Sequence, residues 1–208
     1  MIDQTTLVTY LAILLGFVFI PGPAVLLTLA RASGSGTRAG LATALGIAAG
    51  DLVHTAFTVL GLSAMILASA TLFSVIKYLG AAYLVYLGIK AFRDRTPVRV
   101  RTGDGGISPW QAFRQAVLAE VLNPKSAMFF LAFLPQFVRP ENGSVALQLS
   151  VLGVLFVAMG LLSTLTVAVF AGGIGRVLRR SETVMRWQGK AIGTIYCALG
   201  LRLALQER

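Results

Sequence analysis

Six apolar runs, each long enough to cross a lipid bilayer, take up nearly all of this 208-residue chain, near 5–29, 40–67, 72–92, 112–136, 146–172 and 188–206. A helix needs about 20 apolar residues to span the hydrocarbon. Six such helices leave only short connections and no room for a large soluble catalytic domain. Charged residues are 12% of the sequence against 56% apolar, where soluble domains carry ~25% charged residues. A water-soluble fold has too little interior to bury that much apolar chain. The expected fold is therefore all-α: a polytopic membrane bundle of six transmembrane helices forming a single domain over 1–208. A first three-helix half covers 1–92, a basic loop 93–110 and a second half 111–208.

Most breaks between runs are marked by charge, glycine or proline. Arg31 to Arg38 combines charge with glycine, Arg93 to Ser108 reads as a solvated loop, Pro135 to Ser144 as a turn, and Gly172 to Gly189 as a basic connection. The weakest break is Ala68 to Thr71. Basic residues test the division. Arg31 and Arg38 lie in the first loop, six Lys or Arg between Lys90 and Arg114, and five between Arg176 and Lys190. Only Lys77, Arg139, Arg202 and Arg208 fall on the other side, with Lys125 inside a span. Cytoplasmic loops carry the excess of Lys and Arg, so loops one, three and five face the cytoplasm and both termini face the periplasmic side. Three spans per half make the halves cross in opposite senses, an inverted 3+3 repeat common among secondary transporters. The halves share a proline break in their first helix, Pro21-Gly22-Pro23 in span 1 and Asn123-Pro124 in span 4.

Several classes drop out. One cysteine, Cys197, and one histidine, His54, exclude an intramolecular disulfide, a Cys-x-x-Cys pair and a Cys/His zinc cluster. No cofactor and no metal site are expected. The net charge of +10 flanks the apolar runs instead of forming one stripe, which fits anionic membrane lipids and argues against nucleic acid. The first run has no Lys or Arg before it and so lacks the basic start of a signal peptide; it reads as a retained helix. Gly36/Gly40, Gly46/Gly50 and Gly189/Gly193 are each four apart. This small-residue spacing allows close helix approach, first within one bundle and second at a homodimer face. Lys77, Tyr78 and Tyr86 at span 3 read as interfacial anchors. A loose phosphate-loop likeness at Gly34 to Gly40 lacks the Lys-Ser/Thr ending. Ser33 or Ser35 with His54 falls at the wrong depth for a serine dyad.

Certain residues are too costly at membrane depth to be decoration. An aspartate at the bilayer centre costs ~2.5–3.5 kcal/mol on insertion scales, so Asp51 in span 2 must face the bundle interior, water or a partner. His54, Thr55 and Thr58 follow it on roughly one helix face. Burial favours the protonated form of a carboxyl and a neighbouring cation the ionised form. A carboxylate that meets both conditions in turn can carry a proton; the bland alternative is a structural cap on a broken neighbour. Glu120, Asn123, Pro124 and Lys125 form the second cluster. Pro124 cannot donate to the carbonyl of residue 120, and freed carbonyls in lipid must find another partner. Lys125 offers a buried cation for a carboxylate, or an internal pair for Glu120 or Asp51. In Pro21-Gly22-Pro23 two prolines remove two donors and Gly22 lets another group approach closely. A discontinuous helix presents a positive N-terminal end to a carboxylate and freed carbonyls to an ammonium.

Pro21-Gly22-Pro23, Gly50-Asp51, the run from Lys77 to Gly88, and Asn123-Pro124-Lys125 followed by Phe129-Phe130 and Pro135-Gln136-Phe137 resemble the lysine-exporter (LysE/RhtB) family, on its homoserine, threonine and leucine exporter branch. The matches fall in spans 1 to 4, and length and hydropathy agree over the whole chain. The resemblance implies a bacterial inner-membrane exporter of amino acids or related small molecules, driven by the proton-motive force. It is not an enzyme. The substrate or pathway residues expected are Pro21, Gly22, Pro23, Asn123, Pro124 and Lys125; proton coupling is expected at Asp51, Glu120 and His54. The expected mechanism is alternating access between the two halves. A cation or metal exporter is the rival reading, although only Asp51, Glu120 and His54 offer ligands within the spans.

Overall fold

Proline and glycine set where the helices of this chain begin. The computed structural model describes residues 2–19, 22–62, 70–93 and 106–180, with single positions between 190 and 205. Helix α1 (Gln4–Phe19) starts beneath Asp3, whose carboxylate accepts from the Thr6 hydroxyl at 2.7 Å and the Thr6 amide at 2.9 Å. The two bonds hold this exposed carboxyl below its usual range, the hydroxyl contributing most. Helix α2 (Pro23–Ser35) opens on an extended Gly22 with Pro23 in its first turn, the helical position that tolerates proline because its N–H would be unpaired anyway. Gly36 adopts φ +88°, a left-handed conformation that favours glycine. It divides α2 from α3 (Thr37–Phe57), which runs on into a π-helical stretch, Thr58–Leu62. Helix α4 covers Ala70–Arg93.

The second half repeats the theme. Helix α5 (Pro109–Val121) is held by a capping box in which Ser108 Oγ and Gln111 Oε1 each accept the other residue's amide at 3.2 Å. Asn123 caps the short α6 (Pro124–Met128), followed by a π-helical turn, Phe129–Phe133, and a 3-10 turn, Leu134–Phe137. Gln148 clamps the next turn, accepting the Arg139 amide at 3.0 Å and donating to the Arg139 carbonyl at 2.8 Å. Helix α7 covers Val145–Arg180.

Thr37–Gly61 and Val145–Ala171 are each long and apolar enough to cross a membrane; α1 with α2, bent by 47°, and α5 with α6, bent by 43°, bring the total to four if each bent pair is one span. The bend between α5 and α6 lies where Asn123-Pro124 predicts a break, and α2 begins at Pro23 of the Pro21-Gly22-Pro23 motif. Among the described residues no strand forms. Residues 63–69, which hold the start of the expected break at Ala68 to Thr71, lie outside the described residues, as do most of the basic loop 94–105 and residues 181–189. One boundary is corrected: the connection expected from Gly172 begins later, because α7 stays helical to Arg180. Glycine weakens a helix but still donates its N–H, and no proline follows Pro140 to remove a donor.

Two contacts set the site's position. Gly46 and Gly50 on α3 let α5 lie directly against the backbone: a Cβ on Gly50 would stand 2.6 Å from Glu120 Cβ, and one on Gly46 would be 2.8 Å from Ala116 Cβ. Gly40 packs on Ala32 and Ala168 in the same manner. The expected Gly46/Gly50 spacing serves packing within the chain; of the Gly36/Gly40 pair only Gly40 meets a neighbour, and Gly189 lies outside the described residues. Apolar burial provides little drive between helices in lipid, so close packing and interhelical hydrogen bonds hold them together. On the other side of the site an aromatic cluster joins α1, α7 and the turns after α6. Phe129 lies 4.4 Å from Phe17 and 4.8 Å from Phe156 between ring centroids, and Tyr10 lies 5.1 Å from Phe137. Tyr10 also donates to the Leu152 carbonyl at 2.8 Å. Lys77, expected as an interfacial anchor, is instead buried on the packed face of α4, its ammonium 4.8 Å from the Tyr78 ring centre. Tyr78 and Tyr86 remain exposed.

Candidate functional site

The two helix breaks free particular carbonyls, and the fold supplies a side chain for each. In a continuous helix the N–H of residue i+4 bonds the carbonyl of residue i. Residue 21 is proline, so the Phe17 carbonyl loses its donor; Lys125 Nζ donates to it at 3.0 Å and stands 4.2 Å from the Phe17 ring centre. The Val18 carbonyl, whose helical donor would be the extended Gly22, accepts from Ser163 Oγ at 2.9 Å. In the second break Pro124 leaves the Glu120 carbonyl open. His54 Nε2 lies 2.9 Å from it, and the Asn123 amide reaches it at 2.9 Å.

The side chains at the second break form one connected group. Asn123 Oδ1 accepts the Lys125 amide at 3.0 Å, while its Nδ2 donates to both Glu120 carboxylate oxygens at 3.1 and 3.2 Å. Ser126 Oγ donates to Glu120 Oε1. Asp51 comes in from α3, 2% exposed, and lines the same cavity as the Glu120 carboxyl. Its Oδ1 has no hydrogen-bond partner. Asp51, Glu120 and Lys125 are close enough to act on one another's charge.

These groups line a cavity of about 40 Å³, room for about three waters. Asp51, Glu120, Asn123, Lys125, Ser126 and Thr164 form its polar wall; Phe17, Val18, Val25, Ile47 and Phe156 form its apolar wall. Gly22 borders it so closely that a Cβ there would stand 3.0 Å from Lys125 Nζ. The start of α2, with no side-chain cap, therefore adjoins the ammonium. Asp51, Glu120 and Lys125, expected from sequence at two separate places, meet in this one cavity together with Gly22 and Asn123. Pro23 and Pro124 do not line it and act through the backbone they interrupt. Pro21 lies outside the described residues. His54 is buried behind Glu120, away from the cavity wall, with its ring stacked on Phe130 at 5.6 Å.

Sequence reasoning missed Gly160, Ser163, Thr164 and Ser126. The first three did carry a signal: they are spaced i, i+3 and i+4 on one face of an apolar helix. That face meets the site, since a Cβ on Gly160 would lie 3.5 Å from Asp51 Oδ2. Among the described residues no group of three or more His, Cys, Asp or Glu converges as a metal site would require.

The model of a family described as LysE type translocator matches residues 15–207. An uncharacterized membrane protein of Vibrio cholerae is 33% identical over 195 residues, 94% of each chain. A homoserine/homoserine lactone efflux protein of Salmonella typhimurium is 28% identical over 184 residues, 88% of each chain. A leucine efflux protein of Salmonella choleraesuis is 27% identical over 204 residues, 94% of this chain and 93% of its own. No solved structure matches.

Proposed function

The chain belongs to the LysE type translocator family, a membrane transporter and not an enzyme, and on that footing we propose that it exports amino acids or closely related small metabolites by proton-coupled alternating access. One observation carries the reading: two carboxyl groups and one ammonium meet in a single buried cavity between two broken helices. Ionisable groups at membrane depth are costly and mark transport routes. A zwitterion has a counterpart for each of its charges there. Lys125 and the adjoining start of α2 take the carboxylate; Asp51, whose Oδ1 lacks a donor, takes the ammonium. The names of the efflux relatives, leucine and homoserine, fit a small cavity with an apolar wall.

The proton enters through the carboxyl pair. Two carboxyl groups crowded into one buried cavity hold one proton more readily than they both ionise. Glu120 already accepts from Asn123 and Ser126, so Asp51 is the group that releases the proton when an ammonium arrives. A membrane potential of 100 mV supplies ~2.3 kcal/mol per charge moved, enough for roughly a fiftyfold gradient. One proton exchanged for one zwitterion therefore suffices for useful export.

An inverted repeat would support alternating access. Each half would set a bent first helix, α1 with α2 or α5 with α6, beside a straight second helix, α3 or α7. In this reading six spans cross the inner membrane with both termini in the periplasm, and rocking of one half against the other opens the cavity to each side. Lipids and a substrate are the partners, and a homodimer is compatible with the exposed helix faces. Vesicles loaded with labelled leucine or homoserine test the proposal. Wild type should release substrate faster when a pH gradient is imposed. Asp51→Asn should insert and fold but lose that acceleration; normal gradient-driven efflux in it would remove Asp51 from the mechanism.

A further inference from the structure

His54 is the chain's single histidine, and sequence alone groups it with the proton-handling residues. Its surroundings point elsewhere. Nε2 lies 2.9 Å from the main-chain carbonyl of Glu120. A carbonyl oxygen can only accept, so Nε2 carries the hydrogen. That carbonyl needs a donor because residue 124 is proline and cannot supply the helical one. The Asn123 amide fills one of its two acceptor positions at 2.9 Å, and His54 fills the other. The imidazole also stacks on Phe130 with an interplanar angle of 18° and a centroid distance of 5.6 Å. Phe130 belongs to the π-helical turn beyond the break, whereas Glu120 belongs to the helix before it. One ring on α3 thus grips both sides of the break, directly behind the residue whose carboxyl meets Asp51.

We propose that His54 is a positioning residue and not a proton carrier: as a fixed Nε2–H tautomer it holds the carbonyl that Pro124 leaves open, and so sets the Glu120 carboxyl against Asp51. A transported proton leaving through Nε2 would remove the bond that keeps the break in shape. Three neighbours carry the transport chemistry instead, Asp51 on the same helix, Glu120 on α5 and Lys125 on α6, and each lines the cavity that His54 does not.

Two measurements decide this. Because there is one histidine, ¹⁵N-histidine labelling of the full chain in lipid nanodiscs gives one pair of imidazole nitrogen resonances. At mildly alkaline pH the proposal requires a protonated Nε2 and a bare Nδ1; an Nδ1–H tautomer overturns it. The second measurement compares His54→Gln with His54→Leu in vesicles loaded with labelled leucine or homoserine. Glutamine places an amide N–H where Nε2 stood but cannot exchange a proton at transport pH. It should keep gradient-driven efflux close to wild type, while leucine, which leaves the carbonyl short of a donor, should lose it about tenfold. Glutamine as inactive as leucine, at equal membrane levels, overturns the proposal. This second measurement rests on the exporter reading above. If wild type exports neither compound, that reading fails, while the tautomer still decides the role of His54.

Discussion

Lys125 serves two chains of contacts at once. Its ammonium closes the Phe17 carbonyl left open by Pro21, and its amide is held by Asn123 in the other break. The first broken helix is therefore tied to the second through one flexible side chain, and a substrate carboxylate that draws the ammonium towards itself loosens that tie. Lys125→Met should abolish efflux, and it leaves a buried carbonyl short of a donor at a cost of ~1–3 kcal/mol. Transport by labelled-leucine or homoserine release and thermal stability in detergent are the two readouts; a variant that exports at the wild-type rate sinks this role. Asp51, Glu120 and Lys125 were legible as unusual from depth alone. That they share one cavity was not, because Asp51 and Glu120 are 69 positions apart in the chain and meet only through the α3–α5 crossing.

At the scale of the element, the breaks matter more than the helices. Proline removes a donor wherever the chain places it, so both breaks could be read from sequence, and the bends of 47° and 43° lie where expected. The π-helical turns at Thr58–Leu62 and Phe129–Phe133 could not, since such turns are short and often sit at functional sites without a strong sequence mark. Pro124→Ala supplies the missing N–H to the Glu120 carbonyl and competes with His54 for it. Pro124 opens α6, the position where proline is tolerated, so the substitution acts through the restored N–H. The variant should export more slowly, and a Pro124→Ala protein with unchanged efflux would mean that the second break is not part of the route. The glycines of α3 belong to this scale too: Gly50 has no space for a side chain because α5 lies against it, a fact the four-residue spacing anticipated without saying which helix would arrive.

For the whole molecule, the distribution of Lys and Arg predicts an orientation that labelling can test. In a Cys197→Ala background, a membrane-impermeant thiol reagent added to intact cells should modify Glu141→Cys in the turn before α7 and spare Gly103→Cys in the basic loop. The reverse pattern would invert the orientation, and labelling at both positions would undo the even number of spans. The turn at Glu141 is a sound reporter, because Glu141 is exposed and the backbone beside it is clamped by Gln148.

The sequence by itself determined the membrane class, the helical secondary structure, the two break points and the short list of ionisable residues. Each of these follows from local chemistry, namely apolar length, a missing N–H or a charge in hydrocarbon. Only the tertiary structure decided which side chain answers which freed carbonyl: Lys125 for Phe17, Ser163 for Val18, His54 for Glu120. A lost donor is a property of one residue, whereas its replacement is whatever the packing of distant helices brings within 3 Å. For the same reason His54 could be picked out along the chain but its task could not.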